Sequence, residues 1–380
     1  MKLETFFYTH QSGWSVASFP PLDSEQTWVI VFGGSDFIDA PEPIYEIMRA
    51  YPNSHIVGCS SSGEIFGTTI ADNSLTVGVI QFQHTSIITT TMPVQSVQES
   101  YAVGQAMAQQ LNRPSLRGIF VLSDGLRVNG SELVRGLNAM LPSSVIVTGG
   151  LAGDGDQFKR TWVIKDGSLQ SGFVSAVGLY GEHIKIGHGS KGGWDIFGPE
   201  RLVTRSNSNI LYELDEKPAL QVYKEYLGEQ ASGLPATAFY FPLALRANTS
   251  DHRRIVRTVL AVDEANQAII SAGDIPQGHL AQLMRGNFDR LVDGATEAAL
   301  MTRQQQQDEV PLLAIAVSCV GRRLVLGERT EEELEAAIDA LPQGTQQIGF
   351  YSYGEISPYD ASGHCDLHNQ TMTLTTITEE

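Results

Sequence analysis

The sequence predicts an α/β protein of two related mixed-sheet modules, each with a βαβ core and added antiparallel strands. Three observations predict it. Three stretches read as strand, helix, strand; one pattern, G-x-x-S-x-G-E-I, occurs at residues 58–65 and again at 349–356; and apolar residues alternate with period 2 through much of the chain between these units. With 380 residues, 42% of them hydrophobic, the chain can bury the cores of two ordinary domains without disulfides. The boundary is read near residue 215, giving domains 1–215 and 216–380.

In the first unit the apolar run 27–32 ends in Gly33-Gly34-Ser35. Ala40, Ile44, Ile47 and Met48 then recur at helical spacing, and a second apolar run enters Gly58-Cys59-Ser60-Ser61-Ser62-Gly63. In the second, residues 118–122 end in Ser123-Asp124-Gly125, Ser131 begins a helix carrying Leu133, Val134, Leu137 and Met140, and residues 145–147 run into the loop from Gly149 to Gly155. In the third, residues 312–317 end in Ser318-Cys319-Val320-Gly321-Arg322. Thr330 with Glu333 forms a capping box, and Ile348-Gly349-Phe350 leads into Tyr351-Ser352-Tyr353-Gly354.

Residues 75–82, 85–91, 162–164, 173–180 and 183–187 read as antiparallel strands decorating these cores. The glycine-rich segment 189–199 is the strongest interruption near the middle; a short hairpin over 203–213 and a helix over 218–227, with Pro218 in its first turn, follow it. Gln304-Gln305-Gln306-Gln307 reads as the solvated end of a helix over 288–301.

Composition narrows the function. Lys plus Arg number 25 against 43 Asp plus Glu, a formal net charge of -18, which repels polyphosphate backbones and argues against nucleic acid. The three cysteines, Cys59, Cys319 and Cys365, include no C-x-x-C pair, so neither a disulfide framework nor a cysteine-ligated zinc is indicated and a reduced, cytoplasmic setting fits. No signal peptide is evident, and no apolar run approaches the ~18 residues of a membrane span, so the protein is expected to be soluble, without membrane insertion. G-x-x-x-x-G-K-[ST], G-x-S-x-G and H-E-x-x-H are absent, and no G-x-G-x-x-G opens a helix after the first strand, which disfavours the common enzymes.

The two Gly-Glu turns follow strands, where open α/β sheets present ligand-binding groups. Glu64 and Glu355 either hold a ligand ammonium or cap neighbouring backbone. Arg322, one strand end away, either shares a cleft with Glu355, walled by Tyr351, Tyr353, Asn369 and Gln370, or simply pairs with it. Among the nine histidines, His364 and His368 flank Cys365 densely, but a strand would splay them apart and argues against zinc. In 183–188, alternation puts Ile184, Ile186 and His188 on one face. Gly187 and Gly189 remove bulk where a flat macrocycle would need access, and Trp194 lies six residues on. His188 reads as either a buried structural histidine or an iron ligand; without C-x-x-C-H any haem would be non-covalent haem b.

The motifs at 57–65, 149–154, 203–220, 318–322, 349–356 and 368–371, in this order, resemble a FIST protein with an N-terminal and a C-terminal FIST domain. The resemblance implies a sensory module for small ligands in bacterial signal transduction rather than an enzyme. As a bare two-domain chain it is similar to a subgroup of stand-alone haemoproteins that bind nitric oxide and regulate a partner sensor histidine kinase. It pins no iron ligand, so His188, with Trp194 beside the haem, rests on the strand-face argument alone. The competing expectation is an amino-acid or small-metabolite sensor using Arg322, Glu355, Tyr351, Tyr353 and Asn369, with Cys59 and Glu64 as counterparts in the first copy of the motif. Oligomeric state is not legible.

Overall fold

The computed structural model describes residues 1–303, 312–360 and 363–380, so the glutamine run at 304–307 lies outside the described residues. Within them the chain is an α/β protein with βαβ cores and added antiparallel strands, as the periodicities predict. Each of the three strand–helix–strand units has its own sheet. Thr27–Gly34 lies parallel to His55–Ser61, Leu116–Ser123 to Ile146–Leu151, and Leu313–Cys319 to Gln346–Ser352. The return strands Ser74–Gln81, Phe173–Tyr180 and Met372–Glu379 run antiparallel to the first strand of each pair. Edge strands Lys2–Thr9, Ser86–Pro93 and Ile184–Lys191 follow outward.

The units exchange strands in a ring. After the first parallel pair the chain crosses to pair Glu64–Phe66 with Gln346–Ser352 of the third unit. After the third, Gly354–Pro358 pairs with Ile146–Leu151 of the second. After the second, Val163–Lys165 pairs with His55–Ser61 of the first. The turns between close on one another through backbone bonds from Ser62 N to Tyr351 O (2.8 Å), Tyr353 N to Leu151 O (3.1 Å) and Gly153 N to Ser60 O (3.1 Å). The fold thus has an approximate threefold arrangement, and the two G-x-x-S-x-G-E-I copies are direct neighbours, with Ile65 opposite Gly349.

Alternation along the strands explains the layers. Trp28, Ile30 and Phe32 point into a central core with Phe120, Leu122, Val317 and Phe350, while Val29 and Val31 point out to the helix Glu42–Ala50. Phe32 and Phe350 stack with ring centroids 4.6 Å apart. The helices Ser100–Leu111 and Gly130–Met140 cover the second sheet, and Phe288–Arg303 and Thr330–Asp339 the third. Burying each large apolar side chain contributes about 1.5–3 kcal/mol, so strands sheathed on both faces carry much of the stability. The helix Ser100–Leu111 escapes the sequence reading although Val103, Met107 and Leu111 give it a buried face.

Between the edge strand Ile184–Lys191 and the helix Phe288–Arg303 the third unit carries an insert. Its eight-stranded antiparallel sheet begins at Asp195–Asn207, ends at Leu280–Arg285, and packs the helix Ala219–Leu227 on one face. The glycine-rich segment before it marks the exit from the core, and the expected hairpin forms between Asp195–Asn207 and Ile210–Leu214.

The expected capping box does not form. Thr330 opens the helix Thr330–Asp339, but its hydroxyl donates to Gly327 O, and Glu333 turns inward to Arg322. The helix read as beginning at Ser131 spans Gly130–Met140 and is capped by Asn129, which accepts from Glu132 N at 3.1 Å.

Candidate functional site

The parallel strands of the second and third units end at one side of the molecule, and there the insert faces them across a cleft of about 500 Å³. From the core come Gly125 and Asn129 after Leu116–Ser123, Leu151 at the end of its strand, Cys319 to Gly321, and Tyr353; from the insert come Asn207 to Ile210, Phe239, Thr258 and Ser271 to Asp274. Strand ends gather here because every βαβ unit releases its chain at the same edge.

Tyr353, in the second motif copy, forms the wall. Its hydroxyl donates to Asp154, its ring stacks on Phe158 with centroids 4.5 Å apart, and burial with the neighbouring carboxylate holds its phenol well above the ordinary range. Asp154 also accepts from the backbone N–H of Phe158, Lys159 and Arg160 at 2.8–2.9 Å, fixing Phe158 in a left-handed turn at φ 52°.

Beneath the cleft, Glu355 is fully buried. It accepts from Ser352 Oγ and Thr371 Oγ1, both at 2.8 Å, and burial outweighs these bonds and pushes its pKa up to about 8. Glu64, in the first copy, accepts from Ser74 N and Oγ at 2.9 Å and is pushed up to about 7 by burial. Both carboxyls latch a turn to its return strand. Burial, with Glu355 nearby, pushes the Cys319 thiol up, opposed by N–H donors from Gly321 and Arg322.

Arg322 is not a ligand grip. It is fully buried, bonded through Nε and Nη2 to Glu333 (3.0 and 2.7 Å), with Nη1 on Gly192 O and Nη2 on Leu291 O. Its expected partnership with Glu355 gives way because the residues after Cys319 form the helix Val320–Leu326 and swing the guanidinium under the sheet. Tyr351 belongs to the same buried cluster, donating to Glu333 at 2.6 Å. Cys59 is a packing residue of the central core. Asn369 is buried, and neither atom of its side-chain amide has a hydrogen-bond partner among the described residues. Of the candidates, only Tyr353 lines the cleft.

His188 points inward with Ile184 and Ile186, as alternation requires, and is buried between packed sheets, where desolvation lowers its pKa to about 4. Gly187 and Gly189 serve another purpose than access for a macrocycle. A Cβ at either position would meet the helix Phe288–Arg303, at 2.6 Å from Thr302 O or 2.0 Å from Ala298 O. Trp194 is also buried, its indole N–H on Gln370 O at 2.7 Å, and neither His188 nor Trp194 lines the cleft. These residues do not fit a haem, because helix and sheets already fill the space on which the expectation rests. Cys365–His368 is a strand, and no group of three or more metal-ligating side chains occurs among the described residues.

Sequence reasoning missed Asn129, Phe158 and every residue from the insert. One signal was available: Leu151-Ala152-Gly153-Asp154 is a third version of the turns Ser61-Ser62-Gly63-Glu64 and Ser352-Tyr353-Gly354-Glu355. Aligning it draws attention to Asp154 and the loop it holds.

No curated protein matches the chain. Among solved structures it is similar, at a TM-score of 0.19, to the cyanuric acid hydrolase of A. caulinodans (10% identity over 78% of this chain and 99% of that one). It is similar at the same TM-score to a DegV family protein of Corynebacterium glutamicum (11% identity, 93% and 98%). Likeness at that level carries no functional weight. Two family models cover most of the chain, the FIST N domain over residues 27–217 and the FIST C domain over residues 219–358, and the chain belongs to the FIST family.

Proposed function

We propose that this protein is a receptor for a small organic molecule, bound without haem in the cleft between the three-unit core and the insert. FIST domains are associated with small-ligand sensing in signal transduction. The observation that carries the reading is the cleft itself: about 500 Å³, walled by two bodies that meet at strand ends. A molecule held there touches both, so it favours the arrangement in which the insert is docked, and a partner that distinguishes docked from undocked surfaces reads the occupancy. No described helix is long and apolar enough to cross a membrane.

The finer reading suggested by the subgroup resemblance, haem b sensing nitric oxide for a histidine kinase, has no slot at His188 in its favour. The kinase remains a suitable class of partner, since a net charge of -18 suits a basic patch. Thermal-shift screening of the purified chain against amino acids, amines and nucleobases tests the receptor reading, with Ala272→Trp filling the cleft from the insert side. At least one compound should stabilise the natural protein and leave Ala272→Trp unmoved. If none does, or if both respond alike, the cleft is not the site; a Soret band that persists after purification restores haem.

A further inference from the structure

We infer that the cleft selects an organic cation, a flat apolar-bodied molecule with one ammonium group and no carboxylate. This rests on the cleft being the ligand site and adds the charge of what it takes. Among the described residues that line it there is no Lys, Arg or His, and Asp274 is the one carboxylate. That carboxylate is positioned by Asn129, whose Nδ2 donates to it at 3.0 Å, while the Asp274 backbone N–H donates to Ser131 Oγ at 3.2 Å.

The charges and donors that would welcome an anion are spent elsewhere. Arg257 is buried with Nε on Asp274 O (2.9 Å) and Nη1 on Val256 O and Leu367 O (3.1 and 2.9 Å). Arg322 is bound to Glu333. The helix start at Asn129 is closed by its own cap, Asn129 Oδ1 accepting from Glu132 N.

What remains is suited to a cation. Phe158, Tyr353 and Phe239 present aromatic rings, whose faces attract ammonium groups. Thr258 Oγ1, in a side chain only 3% exposed, has no hydrogen-bond partner among the described residues and offers an acceptor. An anionic ligand would meet the Asp274 carboxylate with no cationic side chain lining the cleft among the described residues, the Arg257 guanidinium being buried behind it and bonded to backbone carbonyls, an arrangement that disfavours it.

Calorimetric titration of the full chain with phenethylamine, phenethyl alcohol and phenylacetate tests the assignment. Phenethylamine should bind, the alcohol at least tenfold more weakly, and phenylacetate not at all. Asp274→Asn should lower amine affinity at least tenfold, and Asp274→Glu should keep the preference for amine over alcohol even if Asp274→Asn folds poorly. Absence of amine binding, equal binding of the alcohol, or an unchanged Asp274→Asn overturns the cation. Ala272→Trp separates the two readings: phenylacetate or alcohol binding that it blocks removes the charge assignment and keeps the cleft, whereas amine binding that it leaves intact removes the cleft.

Discussion

The two copies of G-x-x-S-x-G-E-I are nearly the same local structure in different surroundings. In both, a buried glutamic acid holds a turn to its return strand through hydroxyl and backbone donors. The first copy is sealed: Arg323 lies over it, donating to Ser62 O at 2.6 Å and pairing with Asp72 at the surface. The second opens through Tyr353 onto the cleft, because only the third unit carries an insert that roofs it. A repeated motif therefore marks a shared structural device, and the element placed over it decides whether it belongs to a site.

Adjacent arginines brace the two copies, which makes the contrast measurable. Arg322→Ala leaves Glu333 buried without its partner and loosens Tyr351, and should cost about 3–5 kcal/mol in urea denaturation, the largest effect expected. Arg323→Ala removes a pair whose Asp72 is exposed and should cost about 0.2–1 kcal/mol. Equal losses would mean that the first copy is not sealed as described.

The carboxyl latches should differ in pH dependence. Each folded-state pKa lies above the ordinary glutamate value of 4.5, about 7 for Glu64 and about 8 for Glu355. The folded chain thus holds protons that the unfolded chain has released, and stability falls as pH rises from about 4.5 through those values. Glu355→Gln should flatten the fall up to about pH 8 and Glu64→Gln the fall ending about one unit lower, read as melting temperature against pH relative to the natural chain. Curves that stay parallel would remove the latches as its cause.

The smallest effect on folding belongs to the cleft mouth. Phe158 is 40% exposed, so Phe158→Ala should shift stability by no more than about 0.5 kcal/mol, while weakening phenethylamine binding several-fold. A large loss of stability instead would make Phe158 part of the core and not of the wall.

Much of the fold is legible in the sequence because its signals are local. The strands Thr27–Gly34, Leu116–Ser123 and Leu313–Cys319 announce themselves as apolar runs ending in small or polar turns, and the inward face of Ile184, Ile186 and His188 follows from a period of two. The site is less legible. Tyr353 was found because it sits in a repeated motif at a strand end, whereas Arg322 and Glu355 are close in space yet bound to different partners, which spacing does not disclose. Gly187 and Gly189 show the same limit: the sequence says that bulk is missing, but not that a helix occupies the space.

By itself, then, the sequence determined the strands and helices around the repeated motifs, the repeated turns and the net acidic charge, all set by side-chain periodicity and composition within a few residues. Only the tertiary structure decided that three units exchange strands in a ring, that an insert roofs one of them, and that Asp274 of the insert and Tyr353 of the core line one cleft. Those outcomes depend on contacts between residues far apart in the chain, whose partners are chosen by packing and by the satisfaction of buried polar groups rather than by local preference.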